Sequence, residues 1–142
     1  MTTVVLDASI TIAWALEETD ARAALARQTV ENGQAVVPRL WRFEVRNGLI
    51  VNERRGRINQ VLSDRFLRDL PHLAISSDDS PDDEKLMALA RRHRLTVYDA
   101  AYLELALRES VALATLDGLL GRRAFFWQNP GQRRRRIERK RH

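Results

Sequence analysis

Short apolar segments alternate along the chain with longer segments of helical spacing. The apolar segments cover residues 3–7, 35–37, 73–76 and 111–116, and their length and β-branched content favour buried strands. The spacing between them predicts helices over residues 10–17, 20–31, 38–55, 58–69, 80–93 and 99–108. Strands that alternate with helices in this way favour a parallel sheet covered on both faces, and therefore an α/β fold.

Local signals at the ends of the predicted helices support this division. Asn32 and Gly33 end the second helix, and Gly56 ends the third, which we expect Pro38 to open. The run Ser80-Pro81-Asp82-Asp83 is typical of a helix start, because it combines a capping hydroxyl, a first-turn proline and acids near the positive end of the helix dipole. The chain contains no internal repeat and no linker between domains.

Four acidic residues stand where a purely structural role is hard to assign. Asp7 ends the first predicted strand, Asp117 follows the last one, and Asp99 begins a predicted helix after a short apolar run. Glu44 lies within the third helix among apolar neighbours. Ligands of open α/β sheets bind beyond the carboxyl ends of the strands. We therefore expect these carboxylates to converge at one edge of the sheet.

Convergence of these carboxylates favours a bound cation. Two carboxylates about 4 Å apart repel each other by roughly 4 kcal/mol at an effective dielectric constant near 20. A hard divalent ion such as Mg²⁺ or Mn²⁺ removes this repulsion and prefers oxygen ligands. Such an ion activates water and stabilises charge on a phosphoryl oxygen, so phosphodiester hydrolysis is the reaction that we infer.

Each of these acids also has an ordinary structural interpretation. Asp7 and Asp99 are suitable helix caps or partners of a helix dipole. Asp117 precedes Gly118 and suits a turn, while Glu44 suits a solvated helix face. The residues alone leave these alternatives open.

The segments around the acids resemble the motifs of the PIN-domain family and, within it, the VapC toxins of toxin–antitoxin pairs. The similarity extends over residues 3–120 and rests on four segments in order: VVLDAS, PRLWRFEVRNGL, LTVYDAAYLELAL and VALATLDGLL. The resemblance implies a three-layer α/β/α fold with a mostly parallel sheet of four or five strands. It also implies an endoribonuclease (a hydrolase) dependent on Mg²⁺ or Mn²⁺, a homodimer, and inhibition by a small antitoxin protein.

The same resemblance implies the roles of individual residues. Asp7, Glu44, Asp99 and Asp117 match the acids that hold the metal and carry the catalysis. Ser9 and Thr115 are hydroxyls placed to orient a ligand or water, and Asn47 follows Glu44 by one helical turn as a supporting residue; ordinary roles in a cap, a strand and an exposed helix face are the alternatives. The chain departs from some relatives in having no further acid after the fourth segment, where Gly118, Leu119 and Leu120 follow.

The positive charge of the chain is concentrated at its end. The formal net charge is +5, but residues 122–142 hold nine Lys and Arg against one acid, while the preceding residues hold fifteen against eighteen. We therefore expect a nuclease domain over residues 1–128 and a basic, disordered tail over residues 129–142 that contacts phosphates. Residues 124–127 are a candidate for a last strand.

The composition excludes several other classes. The absence of cysteine excludes disulfides and zinc thiolates and fits a reducing cytoplasm, where we expect the protein to act. No segment reads as a signal peptide or a membrane span, so we expect no membrane partner. The histidines, His72, His93 and His142, lack the spacing of metal ligands.

Two other enzyme classes fit the sequence less well than a nuclease does. A phospho-receiver domain needs a pair of acids after the first strand and a lysine near the last, and a haloacid-dehalogenase-type phosphatase needs a second Asp where Ser9 stands. A non-catalytic module that binds RNA or a partner, with purely structural acids, is the main alternative.

Apolar residues beyond the needs of one core predict a dimer and a groove for an antitoxin helix: Ile12, Trp14, Leu16, Trp41, Phe43 and Ile50.

Overall fold

A parallel sheet of four strands lies at the centre of the computed structural model, which describes residues 2–118, 120 and 121. The strands are β1 (Thr3–Leu6), β2 (Gln34–Pro38), β3 (Ile75–Asp78) and β4 (Ala112–Ala114). Their order is β3-β2-β1-β4 and every neighbouring pair is parallel. The candidate strand at residues 124–127, the domain boundary at residue 128 and the basic tail lie outside the described residues.

Helices flank this sheet and complete the expected α/β fold. In the described part of the chain they are α1 (Ala8–Ala15), α2 (Ala21–Asn32), α3 (Leu40–Arg54), α4 (Gln60–Asp69), α5 (Asp83–His93) and α6 (Val97–Glu109), with a 3₁₀ turn at Leu70–His72 after α4. Both α2 and α6 pack against the strands, while α1 packs on α3 and α5 packs on α6. The predicted three-layer α/β/α arrangement with a parallel sheet is confirmed.

The order of the strands determines where a ligand can bind. β1 is a central strand, and its residues Val5 and Leu6 are fully buried. The chain moves from β1 to β2 and β3 on one side, and then crosses to β4 on the other side of β1. The reversal creates a crevice at the carboxyl ends of β1 and β4, which is where open α/β sheets bind ligands.

Close packing of α1 on α3 positions the second of these helices relative to the crevice. A side chain at Gly48 of α3 would collide with the side chain of Ile12, so glycine allows the two helices to approach. Trp41 of α3 is buried in the same contact, and its indole Nε1 donates a hydrogen bond of 3.2 Å to Oγ1 of Thr11. Glu44 lies on α3 between these two contacts, so the packing of α3 on α1 fixes the position of its backbone.

Several element boundaries differ from the sequence prediction; α5, for example, begins at Asp83, with Asp82 and not Ser80 as its N-cap. Pro38 is the last residue of β2, paired in register with Asp78, and α3 begins only at Leu40. Its missing N–H is tolerated there because the residue ends the strand. β3 begins at Ile75, separated from the end of the 3₁₀ turn by two residues, and α6 begins two residues before Asp99 because Thr96 is its N-cap.

Candidate functional site

Asp7 lies at the carboxyl end of β1, with only 7% of its surface exposed. It occupies the N-cap position of α1, but its side chain makes no capping hydrogen bond. Its Oδ2 instead accepts hydrogen bonds from the hydroxyl of Ser9 at 2.6 Å and from that of Thr115 at 2.7 Å. Asp7 therefore faces the loop after β4, and the interpretation of its side chain as a cap is wrong.

The same two hydroxyls attach the loop after β4 to the end of β1. Oγ of Ser9 accepts a hydrogen bond from the backbone N–H of Leu116 at 3.0 Å, and Oγ1 of Thr115 accepts one from the N–H of Asp117 at 3.0 Å. Each hydroxyl thus donates to Asp7 and accepts from the loop. The arrangement restricts the positions of both Asp7 and Asp117.

Glu44 is half-buried on α3 and is held by a residue that the sequence analysis missed. The hydroxyl of Tyr102 on α6 donates a hydrogen bond of 2.6 Å to Oε1 of Glu44. The side chain of Tyr102 is fully buried. The apolar residues around it in α6 were the available signal, because a buried tyrosine requires a partner for its hydroxyl.

Asp99 and Asp117 complete the group from two further elements. Asp99 lies in the first turn of α6, one turn before Tyr102, and its N–H donates to the side chain of Thr96. Asp117 is exposed, and its Oδ1 accepts a hydrogen bond of 2.7 Å from the N–H of Leu120. Asp117 therefore caps the helical residues that follow it, Gly118, Leu120 and Gly121, and the predicted turn with Gly118 is wrong; its other carboxylate oxygen makes no hydrogen bond to a described residue.

Mutual repulsion among the four carboxylates shows that they form one electrostatic group. Burial is the main cause of a raised pKa at Asp7, and the charge of Asp117 adds to it. Burial likewise raises the pKa of Glu44, with further contributions from Asp7 and Asp99. The pKa of Asp99 is raised by burial and then by Asp117 and Asp7. Such coupled, raised pKa values are characteristic of functional sites.

The donor set fits a hard divalent cation in kind, since all four groups are carboxylates that repel one another. Across residues 2–118, 120 and 121, no group of three or more acids or histidines is already arranged closely enough to hold a metal ion.

Asn47 is not brought into this group. Its side chain is exposed on α3 and makes no hydrogen bond to another described residue, although Glu44 lies three residues before it. The remaining supporting residues, Ser9 and Thr115, both contact Asp7 directly. Of the three predicted supporting residues, the structure thus places two beside the acids.

Comparison with known proteins shows the family of this chain. The PIN domain family model matches residues 4–125, so the chain belongs to the PIN domain family. A solved structure with the same fold is that of PAE2754 from Pyrobaculum aerophilum, with a TM-score of 0.66 and 24% sequence identity over 84% of this chain and 82% of that one. No curated protein matched this sequence.

Membership in the family has general consequences. PIN domains are commonly nucleases that use divalent metal ions. Within the described part of the chain, no helix has both the length and the apolar character needed to cross a membrane.

Proposed function

We propose that this protein is an endoribonuclease that depends on Mg²⁺ or Mn²⁺ and hydrolyses phosphodiester bonds of RNA. The observation that supports the proposal is the electrostatic coupling of four carboxylates from separate elements at the carboxyl edge of the sheet. Burying such a group costs free energy unless a cation compensates it. Such a cluster lowers the stability of the fold, so its presence is better explained by catalysis than by a structural role.

In this proposal Asp7, Glu44, Asp99 and Asp117 hold the metal ion. When bound, the ion supplies an activated water and stabilises negative charge on the phosphoryl group. Asp7 and Glu44 are fixed by side-chain hydroxyls, and Asp117 accepts a hydrogen bond from the backbone N–H of Leu120.

Three hydroxyl groups of the chain orient the fixed carboxylates. Ser9 and Thr115 hold Oδ2 of Asp7, and Tyr102 holds Oε1 of Glu44. These hydrogen bonds also favour the ionised form of each carboxylate, opposing the effect of burial on the pKa. They therefore offset part of the effect of burial and favour a negatively charged carboxylate at each position.

We further propose that the nuclease is the toxin of a toxin–antitoxin pair of the VapC type. The motifs around the four acids support this role by resemblance. Trp41 is buried in the core, and Ile12, Trp14 and Leu16 are only partly exposed, so most of the predicted apolar excess is used within the fold. Exposed apolar side chains remain on α3 and α4, at Phe43, Ile50, Val61 and Leu62, and they support a homodimer or a contact with a small antitoxin.

Cleavage of a fluorophore–quencher RNA tests the nuclease proposal. The purified chain should cleave the RNA with Mn²⁺ or Mg²⁺ and stop when EDTA removes the ion. An Asp99→Asn variant, matched in size and fold, should be inactive. If wild-type protein neither cleaves RNA nor gains thermal stability from either ion, the nuclease proposal fails, and the non-catalytic binding module becomes the better interpretation.

A further inference from the structure

A groove of about 540 Å³ lies between α3, the ends of β2 and β3, and the turn after α4. Three arginines line it, Arg39, Arg42 and Arg46, together with the aromatic ring of Phe43. Its floor is apolar and is built from β2, β3, α4 and the turn after α4. Basic side chains therefore surround an apolar surface of a size that admits a planar ring.

The arginines of this groove are poorly neutralised. Arg42 and Arg46 form no ion pair with any described acid, and Arg39 pairs only with the exposed Asp79, at 3.5 Å. Arg46 is held against α3 by a hydrogen bond of 3.0 Å from its Nη1 to the carbonyl oxygen of Arg42. Partial burial lowers the pKa of Arg46, and the charge of Arg42 lowers it further. The pair is therefore suited to an anionic ligand.

Phe43 projects into solvent between these charges, with 70% of its surface exposed. It shares one side of α3 with Arg39 and Arg46, because these residues are spaced by four and three positions. An exposed aromatic ring within a basic groove is the usual combination for binding single-stranded nucleic acid, since bases stack on the ring while the cations contact phosphates.

The groove and the carboxylate group share helix α3. Phe43 directly precedes Glu44 on α3, and successive helix residues differ by about 100° in direction. Phe43 therefore points to solvent, about 100° around the helix axis from Glu44. Glu44 points to Tyr102.

We propose that this groove binds the unpaired RNA next to the bond that is cleaved, with Phe43 stacking on a base and Arg42 and Arg46 contacting phosphates. The proposal rests on the nuclease function proposed above and adds its substrate class: single-stranded RNA, bound at this position without readout of base edges. Arg39 is a weaker contributor because Asp79 competes for it.

Binding of a short fluorescent single-stranded RNA, measured across salt concentrations, tests the arginines. The measurement uses the full chain carrying Asp99→Asn, so that the RNA stays intact. Adding Arg42→Gln and Arg46→Gln should weaken binding and reduce the salt slope by about 1.4, because each phosphate contact to a single strand contributes about 0.7. The matched control is Arg91→Gln with Arg92→Gln, which removes the same charge from exposed positions on α5.

Substitutions at Phe43 test the stacking separately. Phe43→Leu keeps an apolar side chain but removes the ring, and it should weaken RNA binding at least about fivefold without changing the salt slope. Phe43→Trp keeps a stacking surface and should bind as tightly as the parent or more tightly. The exposure of the side chain predicts that both variants fold normally, which circular dichroism checks.

The outcomes separate this proposal from the nuclease proposal. If wild-type protein cleaves RNA but the groove variants bind RNA as the Arg91/Arg92 control does, the groove proposal alone is overturned. If wild-type protein neither binds nor cleaves RNA, the nuclease proposal fails and takes the groove proposal with it. If Phe43→Leu abolishes self-association while RNA affinity is unchanged, the groove is a protein interface and the proposal is wrong.

Discussion

The hydroxyl of Tyr102 donates a 2.6 Å hydrogen bond to Oε1 of Glu44, and so connects α6 with α3 at the carboxyl edge of the sheet. Burial and the neighbouring carboxylate raise the pKa of Tyr102 far above its usual value, so the phenol stays protonated and remains a donor. Tyr102 is therefore a positioning residue for Glu44, which in turn is proposed to hold the metal ion.

Removal of this hydroxyl should impair the site without disturbing the core. Tyr102→Phe preserves the buried ring, but it leaves Glu44 without the donor that orients it. A hydrogen bond to a charged group is worth about 1.5–3 kcal/mol, so kcat/KM for RNA cleavage should fall by roughly tenfold to a hundredfold. The concentration of Mn²⁺ needed for half-maximal activity should rise. Tyr98→Phe, at an exposed position on the same helix, is the control, and equal activity of the two variants would contradict the assigned role.

Neutral substitutions of the acids should separate the essential carboxylates from one that contributes less. Asp7→Asn, Glu44→Gln and Asp99→Asn should each abolish metal-dependent cleavage, since each removes a charge that the cation requires. Asp117→Asn should retain part of the activity, because that side chain is exposed and also bonded to Leu120. Initial rates with a fluorescent RNA measure this, and wild-type rates for Asp99→Asn would show that the site is elsewhere.

The raised pKa values predict how stability depends on pH in the absence of metal. A carboxyl group whose pKa is higher in the folded protein than in the unfolded chain stabilises the fold at low pH, and that stabilisation is lost as the pH rises through the folded-state pKa. Asp99→Asn should therefore raise the melting temperature at pH 7 in EDTA, and its advantage should shrink as the pH falls towards about 4. Thermal melts over a pH series test this prediction, and a variant less stable than wild type at pH 7 would refute it.

Added metal should narrow or reverse the difference in melting temperature between Asp99→Asn and wild-type protein. An ion that binds only the folded protein adds about 2.7 kcal/mol of stability at a free concentration a hundredfold above its Kd. Mn²⁺ or Mg²⁺ should thus raise the melting temperature of wild-type protein and have little effect on Asp99→Asn. A similar shift in both proteins would indicate that the ion binds outside the carboxylate group.

Arg108 should be important for stability, although it forms no ion pair with Asp7, Glu44, Asp99 or Asp117. It bridges the buried carboxylate of Glu104, 2% exposed, and that of Asp78 at the end of β3, with distances of 2.8 and 2.7 Å. Its hydrogen bonds hold the pKa of Asp78 below the usual value. Arg108→Met leaves Glu104 buried without its cation and should cost about 2–4 kcal/mol in the free energy of unfolding. Urea denaturation measures this against Arg39→Met, which breaks an exposed pair with Asp79 and should cost about 0.5 kcal/mol or less.

Much of the fold could be predicted from the sequence because its signals are local. The alternation of apolar runs with helical spacing predicted each strand and helix now seen in the described residues, and Asp7, Asp99 and Asp117 stood out by following such runs. The boundaries were less accurate where tertiary pairing decided them. Pro38 suggested a helix start, but its register opposite Asp78 makes it the end of a strand.

What the sequence by itself determined is the class of fold and the approximate positions of the acids, because periodicity and residue type act within a few neighbours. Only the tertiary structure decided which groups meet. The hydrogen bond between Tyr102 and Glu44, the one between Thr115 and Asp7, and the exposure of Phe43 beside Arg42 depend on how distant segments pack. Asn47 shows the same limit, since its spacing from Glu44 was favourable but α3 turns it towards solvent. The physical reason is that the side-chain partners are separated by many residues along the chain, and the order of the strands brings them together.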